Sequence, residues 1–194
     1  MMLGKNLGVD ETVPRIPLGS VGVEIGVWRG DSSTKFLTRA RYLHLVDPWS
    51  AAAYEQGGEF TDYASYLAYY SAQVGSADPR RFEAFYDEVF HGVVRRFHNK
   101  PVTVHRCTSA EFFAAFKERV DWVYIDGQHG FVGCLQDLRG AKRIIRPGGC
   151  IFGDDYGMPN HRRLGGVTAA VDAFIAECDL PLRLLGRHQY AIQL

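Results

Sequence analysis

Glu24, Asp47, Asp126, Asp154 and Asp155 stand at the ends of short apolar runs, and His129 follows Asp126 by three residues. Carboxylates gathered at one rim suit a cation, the hydroxyls of a ribose, or both. Asp126, Asp154 and Asp155 are hard oxygen ligands of the kind that hold Mg²⁺ while leaving room for water and substrate oxygens. Alternatively, one of them meets a ligand amine and the others face solvent. Asp47 is placed to accept from ribose hydroxyls, or to cap a turn, since Pro48 follows it. A histidine that titrates near neutrality is a competent general base, so His129 is a candidate to deprotonate an acceptor. It could equally cap the helix that follows.

The elements that must position these groups are legible around Val23-Glu24-Ile25-Gly26-Val27-Trp28-Arg29-Gly30-Asp31-Ser32. Val21 to Ile25 is rich in β-branched residues and predicts a buried strand. Gly26 and Gly30 permit a tight turn and a close approach of backbone. Asp31-Ser32-Ser33-Thr34 offers cap chemistry for a helix from about Ser32 to before Arg41. Strand, glycine turn and helix form the ligand crevice of an open α/β sheet. The spacing is not G-x-G-x-x-G, because three residues separate the glycines. Glu24 would also repel a pyrophosphate.

This stretch resembles motif I of the class I S-adenosylmethionine-dependent methyltransferases. With Ile125-Asp126-Gly127-Gln128-His129 it is most similar to a small bacterial family carrying V-E-I-G-x-x-x-G-x-S and I-D-G-x-H. The resemblance spans about Val21 to Phe174. It implies that Glu24, Gly26, Trp28, Gly30 and Ser32 surround the methionine end of S-adenosylmethionine, and that Asp47 takes its ribose. Thr108 and Ser109 fall where the family contacts adenine, though they also read as a helix cap. Trp49 could pack on the adenine face, or be a core or surface tryptophan. Asp126 would serve both cofactor and catalysis. Asp126, Asp154 and Asp155 fall on the Mg²⁺ site of catechol-type and sugar O-methyltransferases. Asp155 stands where catechol-type enzymes often have Asn, and His129 where they have a lysine.

Composition narrows the partners. The chain has 22 basic and 22 acidic residues, so neither a nucleic-acid track nor a membrane-binding basic patch is expected. No apolar run reaches the roughly 20 residues of a membrane span, and Met1 to Ser20 lacks a signal-peptide core. Cys107, Cys134, Cys150 and Cys178 are scattered, which predicts reduced thiols in a cytoplasmic protein.

Along the chain, strands are expected at Val21–Ile25, Tyr42–Val46, Val102–His105, Trp122–Ile125, Cys150–Gly153, Leu182–Leu185 and Tyr190–Gln193. Helices are expected between them. The fold class is therefore α/β: a Rossmann-like seven-stranded, mostly parallel sheet with helices on both faces and an antiparallel last strand. One domain over residues 1–194 carries a helical, aromatic-rich insertion at about 50–100. Its helices are expected at Glu59–Val74 and after Asp78-Pro79. Arg146-Pro147-Gly148-Gly149 reads as a turn. Phe131, Leu135, Leu138 and Ile145 should share one face of the helix over about 131–144. His161 lies in a loop that could reach substrate.

The functional expectation is O-methylation of a small-molecule hydroxyl with S-adenosylmethionine and Mg²⁺. The insertion would shape the acceptor pocket, cover the crevice, or form a homodimer contact. A nicotinamide oxidoreductase and a non-catalytic cofactor-binding protein remain alternatives on the same sheet.

Overall fold

The computed structural model describes residues 8–54, 60, 62–158 and 165–194. The expected loop histidine His161 and the start of the helix expected from Glu59 lie outside them. Seven strands are hydrogen-bonded in one sheet: β1 (Val21–Ile25), β2 (Tyr42–Asp47), β3 (Val102–Arg106), β4 (Val120–Ile125), β5 (Ile145–Gly153), β6 (Leu182–Gly186) and β7 (Gln189–Gln193). Their order is β3-β2-β1-β4-β5-β7-β6. β1 pairs in parallel with β2 on one side and β4 on the other, so the direction of winding reverses beside β1. Ligands bind at such reversals in open α/β sheets. β7 runs antiparallel to both β5 and β6, which makes the hairpin end with its last strand tucked inside the edge.

Side chains alternate across the strands, as a pleat requires. Leu43, Leu45, Trp122 and Tyr124 join Phe36 and Phe82 in the core on one face. Val23, Val46, Val123 and Ile151 join Phe112, Leu138 and Phe174 on the other. The first face is covered by α1 (Asp31–Phe36) and α3 (Pro79–Arg96), and α2 (Tyr63–Val74) packs against α3. The second face carries α4 (Ser109–Ala115), α5 (Phe131–Ile144) and α6 (Gly165–Cys178). α3 starts as its sequence predicts: Asp78 accepts from the Arg80 amide, and Pro79 occupies the first turn. Phe82, Tyr86, Val89 and Val93 are its buried stripe.

Three local expectations are corrected. α1 stops at Phe36 rather than continuing toward Arg41; the Thr38 hydroxyl bonds the Lys35 carbonyl, and the chain tightens into three-residue turns. Arg146 to Gly149 is the bulged first part of β5, not a free turn: pairing with β4 skips from Val120–Ile145 to Trp122–Cys150. Gly148 and Gly149 exchange backbone hydrogen bonds with Leu194, which holds the bulge in place. Phe131, at the start of α5, is 43% exposed, whereas Leu135 and Leu138 of the same face are buried. Among the described residues, no helix is long and apolar enough to cross a membrane. All four cysteines are free thiols.

Gly26 has φ +86°, and a Cβ there would overlap the backbone carbonyl of Asp126. Gly75 has φ +77° with nothing within 4 Å. Gly75→Ala should therefore cost only the left-handed strain, about 1–2 kcal/mol. Gly26→Ala adds a backbone collision and should cost roughly 3–5 kcal/mol. Urea unfolding of the two variants checks the ordering.

Candidate active site

The crevice is built by two loops that touch. The Asp126 amide donates to the Ile25 carbonyl at 2.8 Å, and the Gly26 amide donates to Val46 at 2.9 Å. Gly26 thus serves the crossing of the β1 and β4 loops before it serves any ligand. Beyond it, Trp28 takes φ +53°, a conformation costly for a bulky residue. Asp47 holds it there. One carboxylate oxygen accepts from the amides of Val27 (3.1 Å) and Trp28 (3.0 Å), and the other from the Trp49 amide (2.7 Å). Withdrawal from water raises the Asp47 pKa, and these three amides oppose the rise.

A cavity of about 380 Å³ opens on this floor. Gly26, Trp28, Asp47, Thr108, Ser109, Asp126 and His129 of the expected site residues line it. Its other wall is aromatic: Tyr54, Tyr66 and Tyr70, with Phe85 and Tyr86 of α3. The Tyr66 and Tyr86 hydroxyls hydrogen-bond each other, and burial pushes the Tyr86 phenol up to about 12. Trp28 joins this wall, its ring 5.8 Å from Phe85 and 5.7 Å from Tyr86.

Four expected cofactor contacts are placed away from the cavity lining. Glu24 is buried, accepts from the Ser33 hydroxyl, and ties β1 to α1. Burial raises its pKa, with Asp126 and Asp47 adding to the rise and Ser33 opposing it. Gly30 caps α1 in a left-handed turn packed against Phe97, and Ser32 follows it in the first turn of that helix. Trp49 is fully buried: its Nε1 donates to the Trp28 carbonyl at 2.8 Å and its ring packs on Phe90. The core alternative is the one the structure adopts for Trp49. Thr108 makes the capping box of α4 with Glu111 and still reaches the cavity wall.

At the rim, His129 meets two carboxylates. Its Nε2 lies 3.1 Å from Asp155 and 3.6 Å from Asp126. One ligand atom from each of these three residues falls within 4.8 Å of the others. The expected metal set of Asp126, Asp154 and Asp155 is thus rearranged: His129 joins the group and Asp154 stays outside it. The Asp154 carboxylate instead accepts from the Asp155 amide at 2.8 Å, at a turn where Asp155 has φ +68°. Asp126 faces the cavity and is half-buried. Its pKa rises for that reason, with His129 pulling it down.

Asp137 is a cavity residue that the pattern reading passed over. It is 3% exposed on α5, one of its oxygens has no hydrogen-bond partner, and burial raises its pKa to about 7. The signal was present: an acid stands in the inward stripe of Cys134, Leu138 and Ala141. His44 and His105, which show no ligand spacing, meet across β2 and β3 at 3.1 Å, beneath α4 and outside the cavity.

An open sheet ordered in this way, with a glycine loop after β1 and acids on the strand ends, is the class I methyltransferase architecture. A family described as a methyltransferase domain matches residues 23–156. The chain belongs to that family, and the resemblance to class I S-adenosylmethionine-dependent methyltransferases is borne out. No curated protein matches the chain by sequence. Among solved structures, a Staphylococcus aureus protein provisionally named a caffeoyl-CoA O-methyltransferase superposes with TM-score 0.62 at 13% identity. That match covers 98% of this chain and 84% of the other. A Clostridium thermocellum protein provisionally named an rRNA methylase gives 0.61 at 10% identity, covering 100% and 99%. SMU.1697c of Streptococcus mutans, provisionally named a methyltransferase and solved in complex with SAH, gives 0.58 at 11% identity, covering 100% and 99%. These likenesses show the fold.

The raised Asp137 pKa has a consequence for stability. Folding favours its protonated form, so the folded chain keeps a proton that the unfolded chain releases between the ordinary value of 3.8 and about 7. Stability should fall as pH rises through that window, by up to about 1.4 kcal/mol per pH unit. Asp137→Asn should flatten this part of the profile, as urea unfolding at pH 5 and pH 7.5 would show.

Proposed function

We propose that the chain is an S-adenosylmethionine-dependent O-methyltransferase acting on a small hydroxylated molecule in the cytoplasm. The observation that carries this reading is the His129, Asp126 and Asp155 group at the rim of a cavity floored by the β1 glycine loop. A base and two carboxylates therefore stand beside the groove in which the family binds its cofactor. The balance of 22 basic and 22 acidic residues supports a small acceptor over a nucleic acid.

When bound, S-adenosylmethionine supplies the electrophilic methyl group. Gly26 and Trp28 would form the floor under it, and Asp47 would offer its remaining lone pairs to the ribose. The acceptor's hydroxyl would lie between that floor and His129. The Asp155 carboxylate orients the imidazole through Nε2, and His129 would take the hydroxyl proton as the oxygen attacks. Much of the acceleration would come from holding the two reactants in line.

The donor set also fits a divalent cation such as Mg²⁺, which needs only one or two protein carboxylates and keeps several waters. Asp126 and Asp155 would hold it, and its charge would lower the acceptor hydroxyl's pKa.

Labelled methyl transfer to a panel of small alcohols and phenols tests the reading, with calorimetry of S-adenosylhomocysteine alongside. His129→Gln should cut turnover by roughly 10²–10⁴-fold while the affinity for S-adenosylhomocysteine stays within about twofold. An unimpaired His129→Gln enzyme would remove the base. EDTA should depress turnover and Mg²⁺ restore it; turnover indifferent to EDTA would leave His129 acting without a metal.

A further inference from the structure

The aromatic wall of the cavity carries hydrogen-bond donors that the fold leaves unused. Tyr66, Tyr70 and Gln73 line it from one face of α2, at the spacing that stacks side chains along a helix. Gln73 is half-buried, and its amide has no hydrogen-bond partner among the described residues. Tyr66 and Tyr86 place one hydrogen between their two hydroxyls, so the pair keeps a second hydrogen that no described residue accepts. Both of these rings are buried. Donors withdrawn from water in this way are completed by an oxygen that a ligand brings.

The charge of the lining selects the kind of oxygen. Asp47, Asp126 and Asp137 line the cavity, and among the described residues no lysine or arginine does. Positive charge there would have to come from His129, which already faces Asp155 and Asp126. A carboxylate or phosphate seated on the aromatic wall would leave water without a cation to meet it, in a cavity that holds three acids. A carbonyl or hydroxyl oxygen carries no such cost and accepts from an amide or a phenol. This step rests on the methyltransferase reading above. With the reacting hydroxyl at His129, the aromatic wall meets the part of the acceptor remote from the reaction.

We propose that Gln73, with the unused hydrogen of the Tyr66 and Tyr86 pair, forms a subsite that reads an uncharged oxygen on the acceptor and turns away an acid at the same place. Gln73 is thereby a specificity residue for the acceptor and takes no part in methyl transfer. It stands in the insertion between β2 and β3, so this selectivity belongs to the insertion and not to the sheet beneath it.

Calorimetry on the chain loaded with S-adenosylhomocysteine tests this with three phenols that differ only across the ring from the hydroxyl: 4-hydroxyphenylacetamide, 4-hydroxyphenylacetate and 4-methylphenol. The wild-type chain should bind the amide about tenfold more tightly than either of the others. Gln73→Leu, of similar size but without hydrogen bonding, should bring the amide to within about threefold of 4-methylphenol. Gln73→Lys, which adds a cation, should bind the acid at least as tightly as the amide. Circular dichroism and thermal unfolding confirm that each variant is folded, and the lysine form serves if the leucine form is not. Equal wild-type affinity for acid and amide overturns the proposal, and so does a preference for the amide that survives both substitutions. Binding of S-adenosylhomocysteine with none of the three phenols also overturns it and leaves the cofactor reading standing. Failure to bind S-adenosylhomocysteine removes that reading and this proposal with it.

Discussion

Glu24, Asp47 and Asp126 stand at or beside the ends of three strands that are hydrogen-bonded side by side, and their withdrawal from water is the constraint that shapes the crevice. Like charges withdrawn from water cannot remain ionised together without compensation. Each of the three has a different compensation. Glu24 is drawn away from the cavity and accepts from Ser33. Asp47 spends its charge on the amides of Val27, Trp28 and Trp49. Asp126, left at the rim, has His129 beside it. The loop, the first helix and the rim histidine are thus three answers to one electrostatic problem, and each positions a different part of the site.

The second constraint is steric. The β1 and β4 loops approach so closely that only a glycine fits at position 26. That closeness lets Asp126 and the glycine loop share one cavity. Trp28 then projects toward α3, where Phe85 and Tyr86 receive it. The aromatic insertion is therefore continuous with the motif that precedes it in sequence. It walls the same cavity that the glycine loop floors, and there Tyr66 and Tyr86 pair hydroxyl to hydroxyl.

Much of this was legible in the sequence because it depends on local rules. Strand ends, the Asp78-Pro79 helix start and the Thr108 capping box follow from residue type and spacing. The placement of side chains was less so, because it depends on contacts between segments far apart. Nothing near Trp49 in sequence shows that its indole is taken up by the Trp28 carbonyl. Asp154 and Asp155 are neighbours with the same chemistry, and only the left-handed turn at Asp155 decides which one meets His129. Asp137 was hidden for another reason. A charged residue in an apolar stripe looks like noise until the cavity behind it is seen.

The way these acids are satisfied bears on catalysis. Methyl transfer from a sulfonium disperses and then removes a positive charge. A bare carboxylate against that sulfur would stabilise the starting state more than the transition state, and so would slow the step. The cavity avoids this. Asp47 is already engaged by amides and Asp126 has an imidazole beside it, and the wall opposite them is aromatic. Aromatic faces attract a cation more weakly than a desolvated carboxylate does and lose less when the charge disappears. An acid-rich crevice can thus hold a cationic ligand in place without raising the barrier to discharging it. The amides that hold Asp47 would then matter to turnover as much as its carboxylate.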